Sequence, residues 1–263
     1  MIPKIIHYCW FGGKPLTDDV KNYINTWKKF LPDYEIKEWN ESNFDITENS
    51  FAAEAYKNKK WAFVADYARL KILEEYGGIY LDTDVEVLKS MDPLLKYQGF
   101  CGFQDDESLC TAVLACEPHF DLFKYWLDLY SSRQYGLMGD EEPNVSEFTQ
   151  LCQKYGLKLD NQRQTVKDLE VFPTEYFSPK DFKTGILKVT PNTYTIHHFN
   201  ASWFNSREKE LYRREAIFIR KFGEKNGHRL SFIVNLPLRL TNAISKRGIW
   251  GETKFFFAKL KKK

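Results

Sequence analysis

Tyr76-Gly77-Gly78-Ile79-Tyr80-Leu81-Asp82-Thr83-Asp84-Val85-Glu86-Val87 reads as the end of a helix, a glycine turn and a short buried strand that runs into acidic residues. The glycines suit the positive-φ conformations that close helices, and the β-branched and aromatic content of Ile79 to Leu81 favours extended structure. In a strand, side chains alternate, so the spacing predicts Asp82 and Asp84 on one side and Thr83 on the other. Two carboxylates converging in this way suit a hard divalent cation that keeps part of its shell for water and phosphate oxygens. A calcium loop is excluded, because its sixth and twelfth positions would be Val87 and Pro93 where Gly and Glu are needed. An aspartyl phosphatase, with Asp82 as nucleophile and Asp84 as acid, also places D-x-D after an apolar strand and stays as the alternative. A sugar-binding protein without catalysis is a further rival.

Working outward, Pro3 to Trp10 is a compact β-branched and aromatic run that ends at Phe11-Gly12-Gly13, which predicts a first strand and a turn. Thr17-Asp18-Asp19 begins a helix whose core positions are Val20, Tyr23, Ile24, Trp27 and Phe30, and a second strand is expected from Tyr34 to Trp39. A longer helix starts near Trp61, carries Val64, Tyr67, Ala68 and Leu73 inward, and leads into the glycine turn. On it Asp66 and Arg69 are three apart and share a face. Further strands are expected at 99–104, 111–116 and 194–199, and helices at 120–130 and 145–155, the last opened by Asn144. Strands alternating with helices indicate an α/β sheet.

The chain has 263 residues, 43% of them hydrophobic, enough for one sizeable core and a smaller appendage. No apolar run approaches the ~20 residues that span a bilayer, and the opening Met-Ile-Pro-Lys lacks a signal peptide's order, so a cytoplasmic protein is expected. The five cysteines include no C-x-x-C pair and read as reduced core residues. Charge is uneven: from Arg207 to Lys263 there are 16 basic and 5 acidic residues, which leaves residues 1–206 net negative. The expected division is a catalytic domain over 1–206 and a basic amphipathic helical region over 207–263. Bulky apolar residues interleave with lysine and arginine in that region, which favours an anionic lipid surface over nucleic acid as its partner. Peripheral attachment to the cytoplasmic face of the inner membrane is the expectation.

Three ordered blocks carry a resemblance: Ile2 to Gly13, Ala65 to Arg69 together with Gly77 to Asp84, and His197-His-Phe-Asn-Ala-Ser-Trp203. Together they resemble the signature blocks of glycosyltransferase family 32, sugar transferases with a DXD motif related to yeast α-mannosyltransferases, bacterial capsule and lipopolysaccharide transferases and, remotely, the clostridial glucosylating toxins. The resemblance covers about the first 205 residues. It implies the GT-A nucleotide-diphospho-sugar transferase fold, with a mainly parallel central sheet flanked by helices. It also implies transfer with retention from a nucleotide sugar, most simply a uridine one, to a glycan or lipid-linked acceptor in surface polysaccharide synthesis. By resemblance Trp10 stacks on the base, and Asp66 and Arg69 contact the donor sugar. Tyr80 and Asp82 lie beside the ribose and metal, Asn144 supplies a polar group near the sugar, and Ser202 and Trp203 contact the diphosphate. The cation, Mn2+ or Mg2+, is held by Asp82, Asp84 and a histidine. His197 and His198 face opposite ways on a strand, and His198 is the expected ligand.

Overall fold

The computed structural model describes residues 1–135, 144–200, 206–239 and 241–242. Its chain divides into two compact units: Met1–Phe182 with Ile186–Asn200, and Lys183–Gly185 with Ala201–Lys263.

In chain order the first unit contains β1 (Ile5–Cys9), α1 (Asp18–Phe30), β2 (Glu35–Trp39), α2 (Ser50–Lys57), α3 (Trp61–Tyr76), β3 (Gly78–Leu81) and β4 (Val85–Val87). It continues with β5 (Gly99–Phe103), β6 (Leu109–Cys116), α4 (Asp121–Leu129), α5 (Asn144–Lys154), β7 (Gln164–Val166), β8 (Leu169–Phe172), the short α6 (Thr174–Phe177) and β9 (Thr195–His197). Seven strands form one sheet in the order β2-β1-β3-β6-β5-β8-β7, while β4 and β9 make a separate antiparallel pair. The β2-β1, β1-β3 and β5-β8 pairings are parallel, and the pairings of β6 with β3 and β5 and of β7 with β8 are antiparallel. Five of the seven strands therefore run the same way, and the α/β, mainly parallel architecture read from the sequence is present.

Alternation along the strands builds the two layers beside the sheet. Tyr80, Leu114 and Cys116 point to one face, where they meet Phe51 of α2, Val64, Leu70 and Leu73 of α3, Phe123 and Trp126 of α4 and Phe148 of α5. Ile79, Leu81, Val113 and Ala115 point to the other, against Val20, Ile24 and Trp27 of α1. Trp27 is fully buried and donates its indole N–H to the Val85 carbonyl at 2.7 Å, which ties α1 to the start of β4. All five cysteines are buried and free.

The glycine turn is fixed by sterics. Gly77 has φ 63° and ψ −153°, a region essentially closed to other residues, and a Cβ there would lie 2.6 Å from the Pro118 nitrogen. Gly78 has φ 92°, and its Cβ would meet the Ile5 carbonyl oxygen at 2.7 Å. Side chains are absent here because β1 and the 116–118 corner press on the turn from both sides.

One expectation changes. The strand does not continue through the acidic residues: β3 stops at Leu81, a turn closed by the Val85 N–H on the Asp82 carbonyl (3.1 Å) follows, and β4 belongs to the other sheet. Asp82 and Asp84 converge because the chain turns between two sheets, and strand alternation has no part in it.

The second unit holds α7 (Ser206–Phe222) and α8 (Glu224–Val234), broken apart at Gly223, whose φ is 76°. They pack closely because Gly227 lacks a side chain: a Cβ there would lie 2.5 Å from the Ile219 Cα. Glu215 of α7 pairs with His228 and Arg239. Phe232, Ile233 and Val234 are exposed on α8. Among the described residues no helix is long and apolar enough to cross a membrane.

Candidate functional site

β1 feeds β2 on one side and β3 pairs on the other, so the strand order reverses beside β1. In open α/β sheets such a reversal leaves a crevice at the carboxyl ends of the strands, where ligands bind. Trp10 follows β1 and Asp82 follows β3 at that end. Asn200 belongs to the same unit and brings the distant third block here: its backbone N–H donates to Asp84 Oδ2 at 2.8 Å, and the His198 N–H donates to the Asp84 carbonyl at 3.0 Å.

Asp82, Asp84 and His197 offer ligand atoms that all lie within 4.8 Å of one another. His197 Nε2 stands 3.4 Å from Asp84 Oδ1. Burial acts to lower the His197 pKa, but the Asp84 carboxylate outweighs it and pushes it up to about 10. Burial likewise acts to raise the Asp84 pKa, and His197 with the Asn200 N–H overrides it and holds the group below the ordinary range. A centre that keeps a proton so strongly is one that attracts positive charge. Two carboxylate oxygens and one imidazole nitrogen also form a donor set that fits Mn2+ or Mg2+.

The structure brings His197 beside the aspartates, where the sequence expectation had His198. His198, the expected ligand, turns away: its Nε2 meets Glu86 Oε2 at 2.9 Å and its ring stacks on Tyr23 with centroids 4.9 Å apart. His197 ends β9, opposite Val85, and its Nε2 is the imidazole nitrogen beside Asp84, whereas His198 lies one residue past the strand. Phe199 has φ 55°, an uncommon conformation for a bulky residue, and this bend returns the chain so that Asn200 reaches Asp84.

On the β3 side, one guanidinium joins the other expected residues. Arg69 contacts Asp66 Oδ1 at 2.9 Å and Asp82 Oδ1 at 3.3 Å, donates to the Thr111 carbonyl at 2.7 Å and lies over the Tyr80 ring. Tyr80 donates its hydroxyl proton to Asp82 Oδ1 at 3.0 Å. Asn144 is buried at the start of α5, donates to Asp66 Oδ1 at 2.7 Å and accepts from the Thr111 hydroxyl at 3.1 Å. Burial pushes the Asp66 pKa up to about 6, with Arg69 opposing. Arg69 itself is held charged well beyond its ordinary range despite burial, because Asp82, Tyr80 and Asp66 surround it. Asp66 and Arg69 are thus a largely buried pair beside Asp82, not the exposed pair that helical spacing alone allows. Trp10 is half-buried, with its indole N–H on the Lys14 carbonyl at 2.6 Å. Ser202 and Trp203 lie outside the described residues.

Thr111, Glu86 and Asn200 also belong to this site and were given no role from sequence. Thr111 stands within a buried strand with no local signal, whereas Asn200 sits inside the third block and was reachable from it.

Residues 17–101 match the family described as the glycosyltransferase sugar-binding region containing the DXD motif. The chain is 28% identical over 224 residues to the uncharacterized glycosyltransferase L373 of Acanthamoeba polyphaga mimivirus, covering 77% of this chain and 84% of that one. It is 35% identical over 107 residues to inositol phosphoceramide mannosyltransferase 3 of Schizosaccharomyces pombe, covering 38% of this chain and 29% of the relative. Of the fungal relatives that it matches, the chain spans 24% to 40% of their length. Among solved structures, PaToxG glycosyltransferase superposes with a TM-score of 0.48 at 22% identity, covering 58% of this chain and 68% of that one. The motif Asp82-Thr83-Asp84 lies inside the matched region, so over residues 17–101 the chain is similar to the DXD-containing sugar-binding region of glycosyltransferases.

Proposed function

We propose that the protein is a metal-dependent, retaining glycosyltransferase that moves a sugar from a nucleotide-diphosphate donor to a glycan or lipid-linked acceptor. The observation that carries this reading is the meeting of Asp82, Asp84 and His197 at the carboxyl end of the sheet. A divalent cation bound there, Mn2+ or Mg2+, supplies Lewis-acid stabilisation of the departing diphosphate. The side chains do the rest. Trp10 offers a ring for the base, Tyr80 and Asp82 stand beside the ribose, and Arg69, locked by two acids, holds Asp66 and Asn144 in place to accept and donate hydrogen bonds to the sugar hydroxyls. Ser202 and Trp203 are assigned to the diphosphate by resemblance. Retention is inferred from the family, and front-face attack within an ion pair needs no carboxylate nucleophile.

A uridine donor and a role in capsule or lipopolysaccharide synthesis follow from the resemblance. The name of the Schizosaccharomyces relative, with its ceramide acceptor, supports a lipid-borne acceptor. The phosphatase alternative needs Asp82 free to attack, and the engagement of its Oδ1 by Arg69 and Tyr80 weighs against it. The basic region 207–263 is proposed to attach the enzyme to the cytoplasmic face of an anionic membrane, supported by its charge and by exposed Phe232, Ile233 and Val234. The test of the central reaction is incubation with Mn2+ and a panel of nucleotide sugars. Slow, metal-dependent release of nucleoside diphosphate without acceptor is expected; release of inorganic phosphate from sugar phosphates, with no nucleotide product, would establish the phosphatase instead.

A further inference from the structure

The Trp10–Lys14 loop is held from outside by a residue that the reading above leaves without a role. The Gly12 N–H donates to Glu41 Oε1 at 2.6 Å, and the Tyr56 hydroxyl donates to the same oxygen at 3.1 Å. Tyr56 packs edge-on against Trp61, with centroids 5.0 Å apart. Gly12 lies flat on the Trp61 indole, where a Cβ would come within 2.8 Å of the ring, and its φ of 101° needs glycine in any case. At the near end the Trp10 N–H donates to the Trp39 carbonyl at 2.8 Å, and at the far end the loop closes through the Trp10 indole on Lys14. Among the described residues, every hold that reaches this loop from elsewhere in the chain, except one, belongs to the backbone or to ring packing. The exception is Glu41, which comes from the segment after β2 and joins it to α2 through Tyr56.

We infer that Glu41 is a positioning residue for the donor's nucleobase: by clamping the Gly12 amide against the Tyr56–Trp61 pair it sets the angle of the Trp10 ring. The inference rests on the reading of Trp10 as the base-stacking residue. A loop with two adjacent glycines has wide conformational freedom, and ordering it on binding would cost affinity. Glu41 removes that cost beforehand through a charge-assisted bond to a backbone amide. The proposed metal ligands Asp82 and Asp84 follow β3, a different element from the one Glu41 holds, so the effect should be confined to the base.

The experiment measures UDP and GDP binding to the full chain with Mn2+ present, each against inorganic pyrophosphate, for the parent, Glu41→Ala, Glu41→Gln and Trp10→Ala. One lost charged hydrogen bond corresponds to about tenfold in affinity. Glu41→Ala is expected to weaken the preferred nucleotide by about that factor and to leave pyrophosphate unchanged, whereas Glu41→Gln, whose amide oxygen still accepts both bonds, stays within about twofold. Equal loss of nucleotide and pyrophosphate, or no loss of either in Glu41→Ala, overturns the clamp. If Trp10→Ala weakens nucleotide while Glu41→Ala does not, only the clamp fails. If Trp10→Ala also leaves nucleotide binding unchanged, or if the parent binds neither nucleotide, the base-stacking reading fails with it.

Discussion

At the scale of single residues, the protein turns on which imidazole faces the two aspartates. His197 and His198 are adjacent and chemically identical, yet one stands 3.4 Å from Asp84 and the other is taken up by Glu86 and Tyr23. The difference is directly measurable. Mn2+ affinity, read by electron paramagnetic resonance, should fall at least about tenfold in Asp84→Asn and in His197→Gln, since even outer-shell changes at metal sites cost that much. His198→Gln can still bond Glu86 and should change affinity by less than about threefold. The opposite ranking of the two histidine variants would return the ligand role to His198. Asp66 makes the same point from the other side of the crevice: its position three residues before Arg69 is visible in the sequence, but the burial that lifts its pKa to about 6 is not.

At the scale of elements, the glycine turn between α3 and β3 aims the acidic residues, and His7 on β1 secures it. The Trp39 indole N–H donates to His7 Nδ1 at 3.0 Å, so the proton sits on Nε2, which donates to the Gly77 carbonyl at 3.0 Å. Both nitrogens are satisfied only in the neutral ring, because a second proton would face the Trp39 N–H. Burial accordingly lowers the His7 pKa from 6.5 to about 4. The unfolded chain therefore takes up a proton that the folded chain refuses. The stability held by this residue is complete above pH 6.5 and is lost as the pH falls from 6.5 toward 4, by on the order of 3 kcal/mol in total. Urea unfolding across this range should show that slope in the parent and a flatter one in His7→Gln. Equal slopes would mean that His7 charges freely in the folded state.

At the scale of the whole molecule, an acidic α/β unit that carries the site is followed by a basic helical one with apolar side chains in the open. Full-length protein should co-sediment with vesicles containing anionic lipid and not with neutral ones, and should be released as salt is raised, because the Debye length shrinks from about 10 Å at 0.1 M to about 3 Å at 1 M. Replacing Phe232 and Ile233 by serine should weaken the attachment at low salt. Indifference to lipid charge would remove the membrane from the account.

Taken alone, the sequence determined the α/β class, the positions of β1, α1, β2, α3, β3, β5, β6, α4 and α5, the DXD pair and the three blocks that carry the family resemblance. Those features rest on local chemistry: alternation, helical spacing, and glycines at turns that need positive φ. Tertiary structure alone decided that the acidic strand breaks between two sheets, that β6 runs against its neighbours, that His197 faces the aspartates, and that Arg69 is shared between Asp66 and Asp82. Each of these depends on partners more than 12 residues distant, except the near half of the Arg69 pair. The energies that select among such partners, desolvation and charge pairing, take their values only once the crevice has closed around them.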